Sequence, residues 1–218
     1  MIFECDQGGA EWAELHRGVP TSSSFDKILT AKTMKLSAQC DDLICDLIAQ
    51  RAYLGSMLDY FGSKPMTRTM QYGKDTEAEA RHWYELDHGC DVRQVGFCID
   101  DANRCGCSPD GLIGEDGGLE LKCPELKTHV RYILHPTELV SDYVAQVHGS
   151  LIVTGREWWD IMSYAPGLRP VVVRVTPNEY TESLRKALDL FWTRYQNFAA
   201  QVLTPTDTPI AAQLEGTR

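Results

Sequence analysis

No stretch of the chain approaches the ~18 consecutive apolar residues that a membrane-spanning helix requires, so no membrane association is expected. Met1 to Gln7 carries acidic residues and lacks a basic-then-apolar run, so no secretory signal is expected and a cytoplasmic location follows. There is no Cys-x-x-Cys pair: the cysteines stand at 5, 40, 45, 90, 98, 105, 107 and 123, and Cys105-Gly106-Cys107 has no second Cys or His pair at zinc-site spacing. They read as reduced, small, buried thiols. A phosphate-cradling glycine loop, a catalytic Ser-His pattern and a dinucleotide fingerprint are all missing, which argues against a small-molecule enzyme. Positive charge is also scarce. The net charge of −10 opposes binding nucleic acid through the overall field, yet leaves room for a local basic channel beside acidic groups that collect metal.

What is present is the composition of an ordinary globular protein, 43% hydrophobic and 24% charged over 218 residues. That length supports one sizeable core, expected over 1–203, and a flexible tail over 204–218, where Thr204-Pro205-Thr206-Asp207-Thr208-Pro209 has little to bury.

The most informative stretch runs from Cys107 to Pro124. Ser108-Pro109-Asp110-Gly111 is turn chemistry, which places Asp110 at a chain reversal entering a short strand. A turn from Gly114 to Gly118 follows, and then Leu119-Glu120-Leu121-Lys122-Cys123 alternates apolar and charged residues. Read as a strand, it sends Glu120 and Lys122 to one face and Leu119 and Leu121 to the other. Folding that strand back on the Asp110 strand brings two carboxylates and an ammonium to one sheet edge. Such a set suits a hard divalent cation such as Mg²⁺, which takes oxygen ligands and keeps several waters. The plainer alternative is a turn aspartate followed by the solvated face of an amphipathic strand.

Around this centre, Trp12 to Gly18 reads as a short helix. Serines in Thr21 to Ser24 are placed to cap a helix over Phe25 to Leu29, and exposed N–H groups at such a start suit a phosphate. Ser37 to Leu54 is an amphipathic helix with Leu43, Ile44, Leu47, Ile48 and Leu54 on the face that packs on the core. Gly55 to Lys64 reads as a loop around a short helix, and Lys74 to Leu86 as a helix with Gly73 before it. Glu77 lies early on that helix, where spacing alone cannot separate it from Asp75 and Glu79. Strands are expected over Val92 to Ile99, Arg104 to Cys107, Glu157 to Tyr164 and Val171 to Val175, the last, nearly all valine, in a central position. Helices are expected over Leu126 to Leu134, over Pro136 to Thr154 with Gln146 on it, and from Glu179 to about Val202 with Asn178 as cap. The fold class is therefore α/β, a mixed sheet flanked by helices in one domain.

Asp110, nine intervening residues, then Glu120-Leu121-Lys122 resembles the Asp…Glu-x-Lys core of the restriction-endonuclease-like (PD-(D/E)XK) nucleases. Trp12-x-x-Leu15 leading to Gly18, Thr21-x-Ser23, Gly73-Lys74-x-x-Glu77 and Ala145-Gln146-Val147 extend the resemblance to phage lambda exonuclease and related viral recombination nucleases, over roughly residues 12 to 175.

The resemblance implies a restriction-endonuclease-like fold and a Mg²⁺-dependent exonuclease, with Mn²⁺ able to substitute and one or two ions bound. It would degrade one strand of linear double-stranded DNA 5′ to 3′ from its ends and leave 3′ single strands for recombination by annealing. A homotrimeric ring, a single-strand annealing protein as partner and the cytoplasm of a bacterial host come with it. Asp110, Glu120, the Leu121 backbone carbonyl and Glu77 would serve the metal. Lys122 would orient water and meet phosphate charge, with Gln146 near the nucleophile. Ser23, Ser108 and Arg17 would hold a terminal 5′-phosphate. The arginine is displaced: His16 stands where the family has it, and Arg17 follows one residue later.

The chemistry suits these residue types. Attack on an anionic phosphodiester needs a nucleophile at neutral pH and neutralised charge on the attacking and leaving oxygens, which metal ions and a lysine supply. The competing readings are a structure-specific endonuclease of the same superfamily, which would cut a closed plasmid, and a non-catalytic scaffold binding DNA ends.

Overall fold

The structure, a computed structural model of the chain, describes residues 1–62, 68–102 and 104–203, with only the backbone course for 68–74. The chain opens with β1 (Ile2–Phe3), α1 (Ala10–Leu15), a 3₁₀ turn (Ser22–Lys27), β2 (Leu29–Thr30) and β3 (Lys35–Leu36). Helices α2 (Cys40–Ala52), α3 (Met57–Phe61) and α4 (Arg68–His88) follow. Next come β4 (Phe97–Ile99), β5 (Gly106–Cys107), β6 (Gly111–Ile113) and β7 (Gly117–Lys122). The last part holds α5 (Leu126–Leu134), α6 (Pro136–Asp142), α7 (Val144–Thr154), β8 (Trp158–Ser163), β9 (Val171–Val175) and α8 (Glu179–Val202).

The main sheet is mixed, in the order β6-β7-β8-β9: β7 runs antiparallel to β6 and parallel to β8, and β9 runs antiparallel to β8. A parallel β7–β8 pair demands a crossover, and α5, α6 and α7 provide it. One face of the sheet carries Leu119, Leu121 and Met162 against Ala80 and Tyr84 of α4. The other core gathers Leu43, Ile44 and Leu47 of α2, Val147 and Leu151 of α7, and Leu184 and Phe191 of α8. Each fully buried leucine or isoleucine there stabilises the fold by about 1.5–3 kcal/mol. Helix α7 is held close to the 3₁₀ turn, because a Cβ on Gly149 would meet Phe25 Cδ2 at 2.5 Å and Ser22 Cβ at 2.9 Å. Asn178 caps α8 with a reciprocal capping box through Thr181, as the sequence suggests.

Several expectations change. The valine strand, β9, lies at the sheet edge, where α6 packs against it and makes β-branched residues suitable without a central position. Gly117 and Gly118 belong to β7 instead of the turn, because the indoles of Trp158 and Trp159 on β8 lie across them. An added Cβ would fall 2.2 and 2.3 Å from those rings. The helix expected over Pro136 to Thr154 is two helices, broken at Tyr143, whose φ of −124° and ψ of 18° are not helical. Helix α4 starts before Gly73 and runs through it. Of the strands expected over Val92 to Ile99 and Arg104 to Cys107 only Phe97–Ile99 and Gly106–Cys107 are regular, with Arg93 bridging to Leu112. The helix expected to reach Leu54 ends at Ala52, which leaves Leu54 97% exposed instead of packed on the core. The serines after Thr21 lie inside the 3₁₀ turn and form no side-chain cap. Strand β1 pairs with β4, a contact no local pattern announces. All eight cysteines are free, and the tail at 204–218 and Lys64 lie outside the described residues.

Candidate active site

The β6–β7 hairpin holds the acidic residues by backbone geometry. Glu120 and Lys122 point to the same face, and Lys122 Nζ donates to Glu120 Oε1 at 2.6 Å. Asp110 immediately precedes β6, and its Oδ2 accepts the Leu121 N–H at 2.7 Å. A strand residue presents its N–H and C=O to the same edge, so the Leu121 carbonyl faces the Asp110 side of β7. On the opposite edge the Lys122 carbonyl accepts from the Tyr164 N–H.

Helix α7 brings Gln146 onto the Glu120 face from its first turn. Gln146 Nε2 donates to Glu120 Oε1 at 2.6 Å, and Lys122 Nζ reaches Gln146 Oε1 at 3.2 Å. The break before α7 lets Tyr143 lay its ring over Lys122, with Nζ 4.5 Å from the centroid. Tyr143 is a residue the sequence reading missed; its signal was position, three residues before Gln146. Glu120 is only 3% exposed, and these donors satisfy its Oε1 out of reach of bulk water.

Burial pushes the Asp110 carboxyl well above the usual carboxylate range, and the Glu120 charge pushes the same way. Lys122 and the Leu121 N–H oppose the rise, and Glu77 adds to it. Burial works against the Lys122 ammonium, but the charges of Glu120 and Asp110 outweigh it and hold its pKa above the ordinary lysine value. Glu77, half-buried on α4, also acts with Asp110 on Cys123, whose thiol is driven by burial first, then by these charges, to about 12. Gln146 therefore reaches the hairpin from one helix, and Glu77 lies near Asp110 from another.

Two carboxylates side by side, Glu120 buried and Asp110 partly so, with the Glu120 charge raising the proton affinity of Asp110, form an arrangement that a hard cation relieves. Among the described residues, no three His, Cys, Asp or Glu side chains gather closely enough to cage a metal. Asp110, Glu120 and the Leu121 carbonyl instead make an open, all-oxygen set. That fits an ion such as Mg²⁺, which is commonly held by one or two carboxylates, waters and substrate oxygens.

The expected phosphate contacts divide. Ser108 lies two residues before Asp110 and accepts from Trp12 Nε1 at 2.8 Å, a contact that fixes α1 to the hairpin. A parallel bridge between Thr21 and Gly106 sets the Thr21–Ser24 segment beside β5, with Ser23 exposed and 3.1 Å from Thr21 Oγ1. Arg17 is engaged elsewhere. Its five N–H groups go to both Glu14 oxygens and to the carbonyls of Gln50, Tyr53 and Gly55, at 2.7–3.1 Å. His16 packs its ring 3.9 Å from Trp12 and 4.6 Å from Phe97, and burial lowers its pKa.

The sequence profile of the YqaJ-like viral recombinase domain matches residues 11–157, a span that contains every side chain of this site. Among solved structures, an alkaline exonuclease from Laribacter hongkongensis (LHK-Exo) superposes with a TM-score of 0.74 at 25% identity, over 89% of this chain and 96% of that one. The same alkaline exonuclease in complex with dAMP gives 0.74 at 24% identity, with the same coverage. A phage-related exonuclease from Haemophilus somnus 129PT shares the fold at 12% identity and a TM-score of 0.63, over 88% of this chain and 99% of that one. No curated protein sequence is significantly similar. The architecture is thus the mixed α/β arrangement of the restriction-endonuclease-like exonucleases.

Proposed function

The chain belongs to the YqaJ-like viral recombinase domain family, and from that premise we propose that it is a divalent-metal-dependent DNA exonuclease. In this reading it degrades one strand of linear duplex DNA 5′ to 3′ and leaves 3′ single strands for annealing. The observation that carries the proposal is the convergence of Asp110, Glu120, Lys122 and Gln146 at one end of the β6–β7 hairpin.

Asp110, Glu120 and the Leu121 carbonyl would hold the cation, with Glu77 near it. A divalent ion there supplies a nucleophile at neutral pH and neutralises charge on the oxygens of the scissile phosphate. Lys122 keeps its proton beside two carboxylates, so it faces the phosphate as a fixed cation and stabilises charge that grows in the transition state. Gln146 fixes the Glu120 carboxylate from α7 and offers its amide to a water. Tyr143 limits how far the Lys122 ammonium can swing. Ser108 and Ser23 are the hydroxyls proposed for the terminal 5′-phosphate. Arg17 joins them only if a phosphate displaces Glu14. A ring of three chains would confine positive potential to a channel and reconcile the −10 charge with DNA binding. The acting partner after digestion would be a single-strand annealing protein.

Incubating covalently closed plasmid and its linearised form with Mg²⁺ tests the proposal. Nucleotide release from the linear form alone supports it. Cutting of the closed circle would make the protein an endonuclease, and binding of ends without release would make it a scaffold.

A further inference from the structure

The corner between α2 and α3 holds aromatic rings in solvent. Tyr53, just past α2, and Tyr60, on α3, are 39% and 37% exposed, with their centroids 5.1 Å apart. The backbone under them is pinned. Arg17 donates to the carbonyls of Gln50, Tyr53 and Gly55, while Glu14 accepts from Arg17 and from the Met57 N–H. The clamp therefore holds the backbone that carries the tyrosines at the surface.

The rings continue inward. Tyr60 lies 6.0 Å from Phe61, Phe61 6.4 Å from His16, and His16 3.9 Å from Trp12. Trp12 ends the series on Ser108, two residues from Asp110. Burial keeps the His16 ring neutral, Glu14 neutralises Arg17, and Asp59 on α3 is exposed. The chemistry of this corner suits the uncharged faces of bases better than phosphates. The 59° tilt between the two tyrosines leaves no parallel slot between them; Tyr53 lies over Gly55 and Tyr60 against Phe61, and each tyrosine still keeps more than a third of its surface in solvent.

Resting on the nuclease reading above, we infer that Tyr53 and Tyr60 form a stacking platform for unpaired nucleobases of a DNA end engaged at the hairpin. Continuity with the site through Trp12 and Ser108 argues for DNA as the occupant. Every base has a π-face, so stacking on tyrosine holds strands of any sequence, as an exonuclease requires.

The test is fluorescence anisotropy in EDTA, using a duplex with a short unpaired extension and the same duplex with abasic sites in that extension. The two keep the same phosphates and differ only in bases. The wild type is expected to bind the base-bearing form about tenfold more tightly, the scale of one stacked base. Tyr53→Ala/Tyr60→Ala loses the difference, and Tyr53→Phe/Tyr60→Phe retains it, with thermal melts confirming that both fold. Equal binding of the two duplexes by wild type, or an undiminished difference in the double-alanine variant, overturns the inference and leaves the nuclease reading standing. If the double-alanine variant changes mass by light scattering while keeping the base dependence, the corner is an interface between copies and the inference falls. Failure of wild type to bind either duplex removes the nuclease reading and this inference with it.

Discussion

Lys122 Nζ lies 2.6 Å from Glu120 Oε1, on the same face of β7 and next to the carboxyl of Asp110. The ammonium and the two acids cannot be replaced independently, because Glu120 and Asp110 hold the proton on Lys122 while Glu120 and Lys122 act in opposite senses on Asp110. Glu120→Gln, Asp110→Asn and Lys122→Met are each expected to cut nucleotide release from linear duplex by at least ~100-fold, the scale of losing one preorganised electrostatic contact. Far-UV circular dichroism should be unchanged. Lys122→Met also leaves buried Glu120 without its cation and should lower stability by about 3 kcal/mol. Near-native nucleotide release by any of the three would remove that residue from the mechanism.

A cation bound between Asp110 and Glu120 binds the folded chain alone, so it should raise the melting temperature. At a hundredfold excess over its dissociation constant the gain is about 2.7 kcal/mol. Differential scanning fluorimetry with Mg²⁺ or Mn²⁺ should show an upward shift in wild type that is absent in Asp110→Asn. A shift that persists unchanged in the variant would place the ion elsewhere.

Arg17 bridges α1 to the α2–α3 corner with hydrogen bonds to Glu14 and to backbone carbonyls, those to Tyr53 and Gly55 exposed, each worth at most roughly 1.5–3 kcal/mol and not additive. Arg17→Ala is expected to lose about 2–4 kcal/mol of stability in urea unfolding. Its preference for 5′-phosphorylated over 5′-hydroxyl ends, compared below its melting temperature, should match wild type. A lost preference without lost stability would return Arg17 to the phosphate site.

Two buried histidines, His129 and His148, and the partly buried His16 make stability depend on pH. Burial lowers the pKa of His148 to about 4 and also lowers those of His16 and His129. The unfolded chain takes up these protons near the ordinary histidine value while the folded chain resists, so the stability they support is complete above about pH 6.5 and falls as pH drops from there toward 4. His148 alone accounts for about 3 kcal/mol over that window. His148→Gln, which can still hydrogen-bond to Thr181, should flatten the fall in urea midpoint between pH 7 and pH 5. An identical profile in the variant would contradict the assignment.

Local patterns carried much of this in the sequence. The alternation through Leu119 to Lys122 put Glu120 and Lys122 on one face, and Asn178 announced α8 through its cap. Other features depend on neighbours distant in the chain. Gly117 and Gly118 look like turn residues until Trp158 and Trp159 are placed beside them by the parallel β7–β8 pairing. Ile2–Phe3 is too short to signal a strand, and only β4 defines it. Tyr143 has helical neighbours on both sides, so no propensity marks the break. Arg17 looked like a free phosphate ligand because the carbonyls that engage it, on Gln50, Tyr53 and Gly55, lie more than thirty residues away.

The central claim, metal-dependent degradation from the 5′ end at the Asp110–Glu120–Lys122 hairpin, is tested most directly with linear duplexes labelled at either the 5′ or the 3′ terminus. Release of label is followed over time in Mg²⁺ or EDTA. The account predicts early release of the 5′ label, late release of the 3′ label, and none of either in EDTA. Early release of the 3′ label, or release of any label in EDTA, would contradict it.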